Sequence, residues 1–98
     1  MTYQATLTAL ADPTRRRLFE RLRTGEHTVG DLARRAGISQ PAVSQHLRVL
    51  RTARLVRHRR EGTRRYYSAA PEGLVELRRY VESLWDDVLA AYASQPDS

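Results

Sequence analysis

The 98-residue sequence carries 17 basic and 11 acidic residues for a net charge of +6, its residues are 41% apolar, and all 17 basic residues are arginine. This is the balance of one folded domain, not of a disordered chain, and its small size leaves room for an oligomer to supply part of the core. The lack of cysteine excludes a disulfide framework, a thiolate metal site and a cysteine nucleophile; no apolar run nears a membrane span and Met1 to Ala11 has no leader-like pattern, so a soluble cytoplasmic protein without membrane contact is expected.

Tyr3, Leu7 and Leu10 share one helical spacing and predict a short first helix ending near Ala11. Asp12 followed by Pro13 is a start signal for a second helix, because Asp accepts from an early amide and Pro lacks a donor that the first turn does not use. Leu18, Phe19 and Leu22 give that helix its buried side, and Gly25 is expected to end it. Thr28 with Asp31 resembles a capping box, and Val29, Leu32, Ala33 and Ala36 predict a third helix of about two turns. Gly37, Ile38 and Ser39 then offer a left-handed residue, an apolar residue that packs back and a cap for the next helix.

The fourth helix is read from Gln40 to Ala53, with Pro41 near its start. Val43, Leu47 and Leu50 share one face, while Pro41, Ser44, Gln45, Arg48 and Thr52 cluster opposite them in a polar, cationic stripe. Leu55 to Arg60 and Arg64 to Ser68 are β-favouring runs around Glu61, Gly62 and Thr63, which predicts a hairpin with Arg59, Arg60, Arg64 and Arg65 beside its tip. One of Tyr66 and Tyr67 is expected to pack inward. After Pro71 and Gly73, the apolar residues Leu74, Leu77, Val81, Leu84, Val88 and Ala91 alternate steps of three and four, widened by Trp85, Leu89 and Tyr92. That pattern predicts a long amphipathic helix, with Ser94 to Ser98 fraying.

The charge is not spread evenly. Seven arginines against four acids give residues 1–39 a charge of +3, eight against Glu61 alone give residues 40–70 a charge of +7, and residues 71–98 carry −4. A basic patch in one contiguous segment is the footprint of a polyanion binder, the bland alternative being a solvated arginine surface. Two helices joined by a tight glycine-containing turn form a helix-turn-helix, and the basic hairpin makes it a winged one. The fold expected is therefore mainly α with a small β-hairpin wing: five helices in a single domain over residues 1–98.

The residue types suit a duplex. Gln45 presents donor and acceptor together to a base edge, Arg48 forks onto guanine or grips a phosphate, and Ser39, Gln40 and Ser44 bond phosphate oxygens near a helix start that itself favours them. Arginines at the wing follow the backbone or enter a narrow minor groove. His46 falls toward the inward face, as a packed, hydrogen-bonded histidine rather than a DNA contact, and Arg51 lies on the flank.

Three blocks, ALADPTRRRLFERL, TVGDLARRAGISQPAVSQHLRVLRTARLV and RREGTRRYY, occur in the order that resembles the ArsR family of bacterial transcriptional repressors. The resemblance implies a homodimer on a pseudo-palindromic operator, with a recognition helix from Gln40 to Leu50 and a wing from Arg57 to Tyr67. On that pattern the DNA-binding residues of the recognition element are Ser39, Gln40, Pro41, Ala42, Ser44, Gln45, Arg48 and Arg51. Family members pair through their first and last helices, which here places Tyr3, Leu7, Leu77, Val81, Leu84, Trp85 and Val88 at the dimer interface. Metal-sensing members have two cysteines where this chain has Thr28 and Gly30, and others place histidines along the last helix, where this chain has none. Carboxylates alone suit a transition metal poorly, so no metal and no cofactor are expected. Arg54 stands where the family usually has glycine. No catalytic motif such as G-x-S-x-G or H-E-x-x-H is present, which argues against an enzyme. The alternative is a protein-interaction or RNA-binding module using the arginine-rich wing and the last helix, with the effector a small organic ligand or another protein if there is one.

Overall fold

Five helices and one hairpin follow one another in a computed structural model that describes residues 3–94. They are α1 (Tyr3–Ala11), α2 (Pro13–Leu22), α3 (Val29–Ala36), α4 (Gln40–Thr52), β1 (Val56–Glu61), β2 (Arg64–Ala69) and α5 (Glu72–Ser94). The fraying expected for Ser94 to Ser98 falls, beyond Ser94, outside the described residues.

Local chemistry sets most of the boundaries. The Asp12 carboxylate accepts from the Arg15 amide at 2.9 Å, Thr28 Oγ1 from the Asp31 amide at 3.1 Å and Ser39 Oγ from the Ala42 amide at 3.2 Å, so each of α2, α3 and α4 starts on a side-chain cap. Gly37 closes α3 at φ 68°, and its amide and that of Ile38 both donate to the Ala33 carbonyl. Ile38 packs against the core. The end of α2 departs from expectation. The helix stops at Leu22, where the Arg23 amide donates to Phe19 and Glu20 carbonyls and the Thr24 hydroxyl donates to the Arg21 carbonyl at 2.9 Å. Gly25 lies beyond that end without a left-handed φ, so it is not the terminator.

The strands pair antiparallel with Glu61 opposite Arg64, leaving a two-residue Gly62–Thr63 loop. Gly62 takes φ 62°, the requirement at the first central residue of a tight hairpin turn. Tyr67 is the tyrosine that packs inward. Its backbone exchanges two hydrogen bonds with His27, at 2.8 and 3.0 Å, which ties the base of the wing to the connection between α2 and α3.

Leu18, Leu22, Leu32, Val43, Leu47, Leu50 and Leu55 form the buried centre. α1 reaches it through buried Thr6 and Ala9 with Leu10 of the expected stripe packed alongside; Leu7 is 45% exposed, and the Tyr3 ring lies flat on Tyr80 of α5 with centroids 3.9 Å apart. The arginines that follow α1 terminate it: Arg15 donates to the Ala9 and Thr8 carbonyls and Arg16 to the Leu10 carbonyl.

Arg54 occupies the turn between α4 and β1 at φ 61°, so the left-handed backbone is kept with arginine in place, at a cost of about 1 kcal/mol. Its carbonyl accepts from the Gly73 amide at 2.7 Å, and the Gly73 carbonyl accepts from the buried Thr6 hydroxyl at 2.6 Å. One residue of α5 is thereby clasped between α1 and the end of α4. Gly73 is the buried residue of α5, and every described residue of that helix after Tyr80 is exposed.

Candidate nucleic-acid interface

α4 owes its exposed stripe to its core contacts. Val43, Leu47 and Leu50 are buried, and the 100° step between helical residues then turns Pro41, Ser44, Gln45, Arg48 and Thr52 outward, all five exposed. Thr52 bonds back to the Arg48 carbonyl at 3.0 Å. Ala42 is half-buried at the edge of the stripe. Ser39 Oγ is committed as an acceptor to the cap, yet its O–H remains a donor.

Beside this stripe runs a concave polar surface built from three elements: Gln40 and Ser44 of α4, the start of α3, and Arg60, Arg64 and Arg65 of the wing. The start of α3 (Thr28, Val29, Gly30) and Arg34 are not among the DNA contacts expected from the sequence. The signal was available, because the Thr28 cap marks a helix start, where free amides favour phosphate; what local pattern does not show is that two helix starts face one groove. Arg60 and Arg65 stand directly opposite each other across the hairpin, and among the described residues neither has a carboxylate partner. Opposed like charges destabilise a strand pair, and a polyanion in the groove would relieve them.

The structure separates two of the expected contacts from this group. Arg59 is held by Glu26 in a two-point contact at 2.8 and 3.1 Å and by Glu61 at 2.7 Å, with its guanidinium over the Tyr66 ring. These carboxylates raise its pKa, and Arg59 in turn holds the Glu26 carboxyl below its usual range. Its charge is already answered within the fold. Arg51 lies in a hollow with Arg54, Arg57 and Glu72, not in the groove beside the wing.

His46 is half-buried on the inward side, close enough that its charge helps hold the Asp12 carboxyl low, behind the Arg15 amide hydrogen bond. His58 is more constrained. Its Nδ1 is buried without a hydrogen-bond partner, and its ring tilts against Tyr67 with centroids 5.3 Å apart. Burial pushes its pKa down, and Arg51 of α4, Arg65 of β2 and Arg60 of β1 push it further. A histidine that binds its proton less tightly when folded contributes stability that is complete above the unfolded pKa of about 6.5 and is lost as pH falls from there toward the folded value. The loss of thermal stability between about pH 7.5 and 5 should therefore be smaller in His58→Phe than in the unaltered chain; an equal loss would place the acid-sensitive group elsewhere.

Among the described residues no helix is long and apolar enough to cross a membrane. The family's metal site does not fit the residues present. Thr28 Oγ1 is used as the cap of α3, Gly30 has no side chain, and neither offers the soft donor that a transition metal selects.

Residues 12–58 match the profile of the bacterial regulatory proteins of the arsR family. The chain is 53% identical over 90 residues to the HTH-type transcriptional regulator Rv2034 of Mycobacterium tuberculosis, covering 92% of this chain and 84% of that one. A solved structure described as "Possible transcriptional regulator for arsenical resistance" superposes with TM-score 0.72 at 44% identity, over 93% of this chain and 96% of that one. The homodimeric winged helix-turn-helix DNA-binding domain of Mb0332 from Mycobacterium bovis, a possible ArsR-family transcriptional regulator, gives TM-score 0.68 at 33% identity, over 86% and 78%.

Proposed function

From the premise that the chain belongs to the arsR family of bacterial regulatory proteins, and so is a DNA-binding transcriptional regulator rather than an enzyme, we propose that it works as a homodimeric repressor on a pseudo-palindromic operator without sensing a metal. Each subunit lays α4 into a major groove, the half-sites lie about one duplex turn apart, and the wings hold the flanking phosphates. The observation that carries this reading is the groove in which Arg60, Arg64 and Arg65 face the start of the exposed α4 stripe. The absence of metal sensing rests on Thr28 and Gly30 standing where the metal-binding cysteines of the resemblance would be.

Dimerisation rests on α5. A helix segment of this length with no tertiary cover is marginal in water, and its apolar residues Val81, Leu84, Trp85 and Val88 are 42 to 60% exposed. Together with exposed Leu7 and half-buried Tyr3 and Leu77 of the first and last helices, they are the residues proposed to meet a second copy.

Gln45 and Arg64 separate the two roles. Gln45→Ala should cut discrimination against altered half-sites by about tenfold or more while leaving binding to unrelated duplexes unchanged. Arg64→Ala should weaken all duplexes alike and reduce the salt dependence by about one phosphate per subunit. Fluorescence anisotropy on specific and scrambled duplexes checks both, and an exchange of the two effects would overturn the assignment.

A further inference from the structure

On another side of the molecule, α2 and the end of α3 line a half-open hollow of about 600 Å³, within the size range of small-molecule sites. Its apolar surface comes from half-buried Ala36 and Ile38 over buried Leu18, and its rim is cationic. Arg16, on that rim, donates to the Leu10 carbonyl. Glu20, the acid in the lining, is taken up by Arg23 at 2.6 Å. Arg17, Arg21 and Arg35 are left, among the described residues, with no carboxylate partner around an apolar floor.

We propose that this hollow binds a small organic anion, its apolar body on Ala36 and Ile38 and its carboxylate, sulfonate or phosphate head held by Arg21 and Arg35. Three uncompensated guanidiniums around one hollow repel one another, and an oxyanion between them removes that repulsion while accepting two-point hydrogen bonds. The apolar floor selects a ligand with a body over a bare inorganic ion, and over the backbone of a duplex, which presents none. None of these arginines lines the groove between α4 and the wing. Ile38 is the middle residue of the turn that joins α3 to α4, and Ser39 beside it caps α4; a ligand seated on Ile38 therefore bears on the setting of the recognition helix.

The test titrates the full chain with 8-anilinonaphthalene-1-sulfonate, an aromatic body with one sulfonate, and follows its fluorescence and the backbone amide chemical shifts. Expected are one site per chain, shifts concentrated in residues 14–21 and 35–39, at least tenfold weaker binding in the Arg21→Ala, Arg35→Ala double variant, and intermediate binding when both are lysine. Both side chains are exposed, and circular dichroism confirms folding of the variants. No binding, shifts confined to the exposed face of α5, or unchanged affinity in the double variant would overturn the proposal. Duplex binding is measured on the same samples. A salt dependence unchanged in the double variant is expected, whereas a shallower one would assign these arginines to the DNA backbone and overturn the site. Failure of the unaltered chain to bind any duplex would overturn the DNA reading and leave the dye result to stand by itself.

Discussion

Trp85→Arg is expected to turn the homodimer into monomers, weakening self-association by roughly a thousandfold or more, and to take most of the duplex affinity with it. Trp85 is 59% exposed and sits among Val81, Leu84, Val88 and Leu89, all more than 40% exposed. Burying the exposed part of the indole against a second copy removes on the order of 150 Å² of mostly apolar surface, about 4 kcal/mol as an upper estimate at 25 cal/mol per Å². Two-fold symmetry repeats the loss on both sides, and the introduced guanidinium has to be desolvated in a mostly apolar contact. The tertiary core is untouched, because α5 past Tyr80 contributes no buried residue. Sedimentation velocity should report a folded monomer, and an unchanged dimer would move the interface away from this stripe. Duplex affinity falls because a monomer engages one half-site where the dimer engages two.

Gly73→Ala is the largest expected effect on stability. A Cβ at this position would collide with the Ala53 carbonyl oxygen and stand 2.8 Å from the Arg54 carbonyl carbon and oxygen, all of them backbone atoms. No rotamer relieves such a contact, so α5 has to move off the end of α4. That movement breaks the 2.7 Å bond from the Gly73 amide to Arg54 and the 2.6 Å bond from the buried Thr6 hydroxyl to Gly73. Overpacking of this kind costs about 1 to 3 kcal/mol or more, and each broken buried hydrogen bond adds about 1 kcal/mol. The unfolding midpoint of so small a domain should fall by roughly 15 °C or more. Arg54→Gly is expected to act in the opposite direction at the same junction, gaining up to about 1 kcal/mol by relieving the left-handed arginine. A Gly73→Ala variant with an unchanged midpoint would contradict the close approach of α5 to the α4–β1 turn.

What could be read from the sequence and what could not divide along the range of the interactions. Asp12, Thr28 and Ser39 cap their helices through bonds three residues away, and Gly37 and Gly62 take the left-handed conformations that their turns need. Such signals are complete within a few residues, so the order of helices, the hairpin and the outward stripe of α4 were all legible. The clasp at Gly73 links residues 67 positions apart, and the pairing of Arg59 with Glu26 spans 33. No local pattern encodes either. The same limit explains α1, where small Thr6 and Ala9 allow close packing against neighbouring elements while the larger Leu7 faces out. It also explains the basic run after Asp12: Arg15 and Arg16 added to the positive charge of the chain, but their guanidiniums close the carbonyl end of α1. Counting charges marks the basic segment, and tertiary partners decide which arginines in it stay free.

The free arginines of the wing, together with the exposed face of α4, are proposed to meet the phosphates and base edges of a duplex, and the dependence of duplex affinity on salt reads that contact. With Arg60, Arg64 and Arg65 each neutralising one phosphate in both subunits, log affinity against log salt should fall with a slope near about −5. A slope near zero would mean that the arginine groove does not touch DNA.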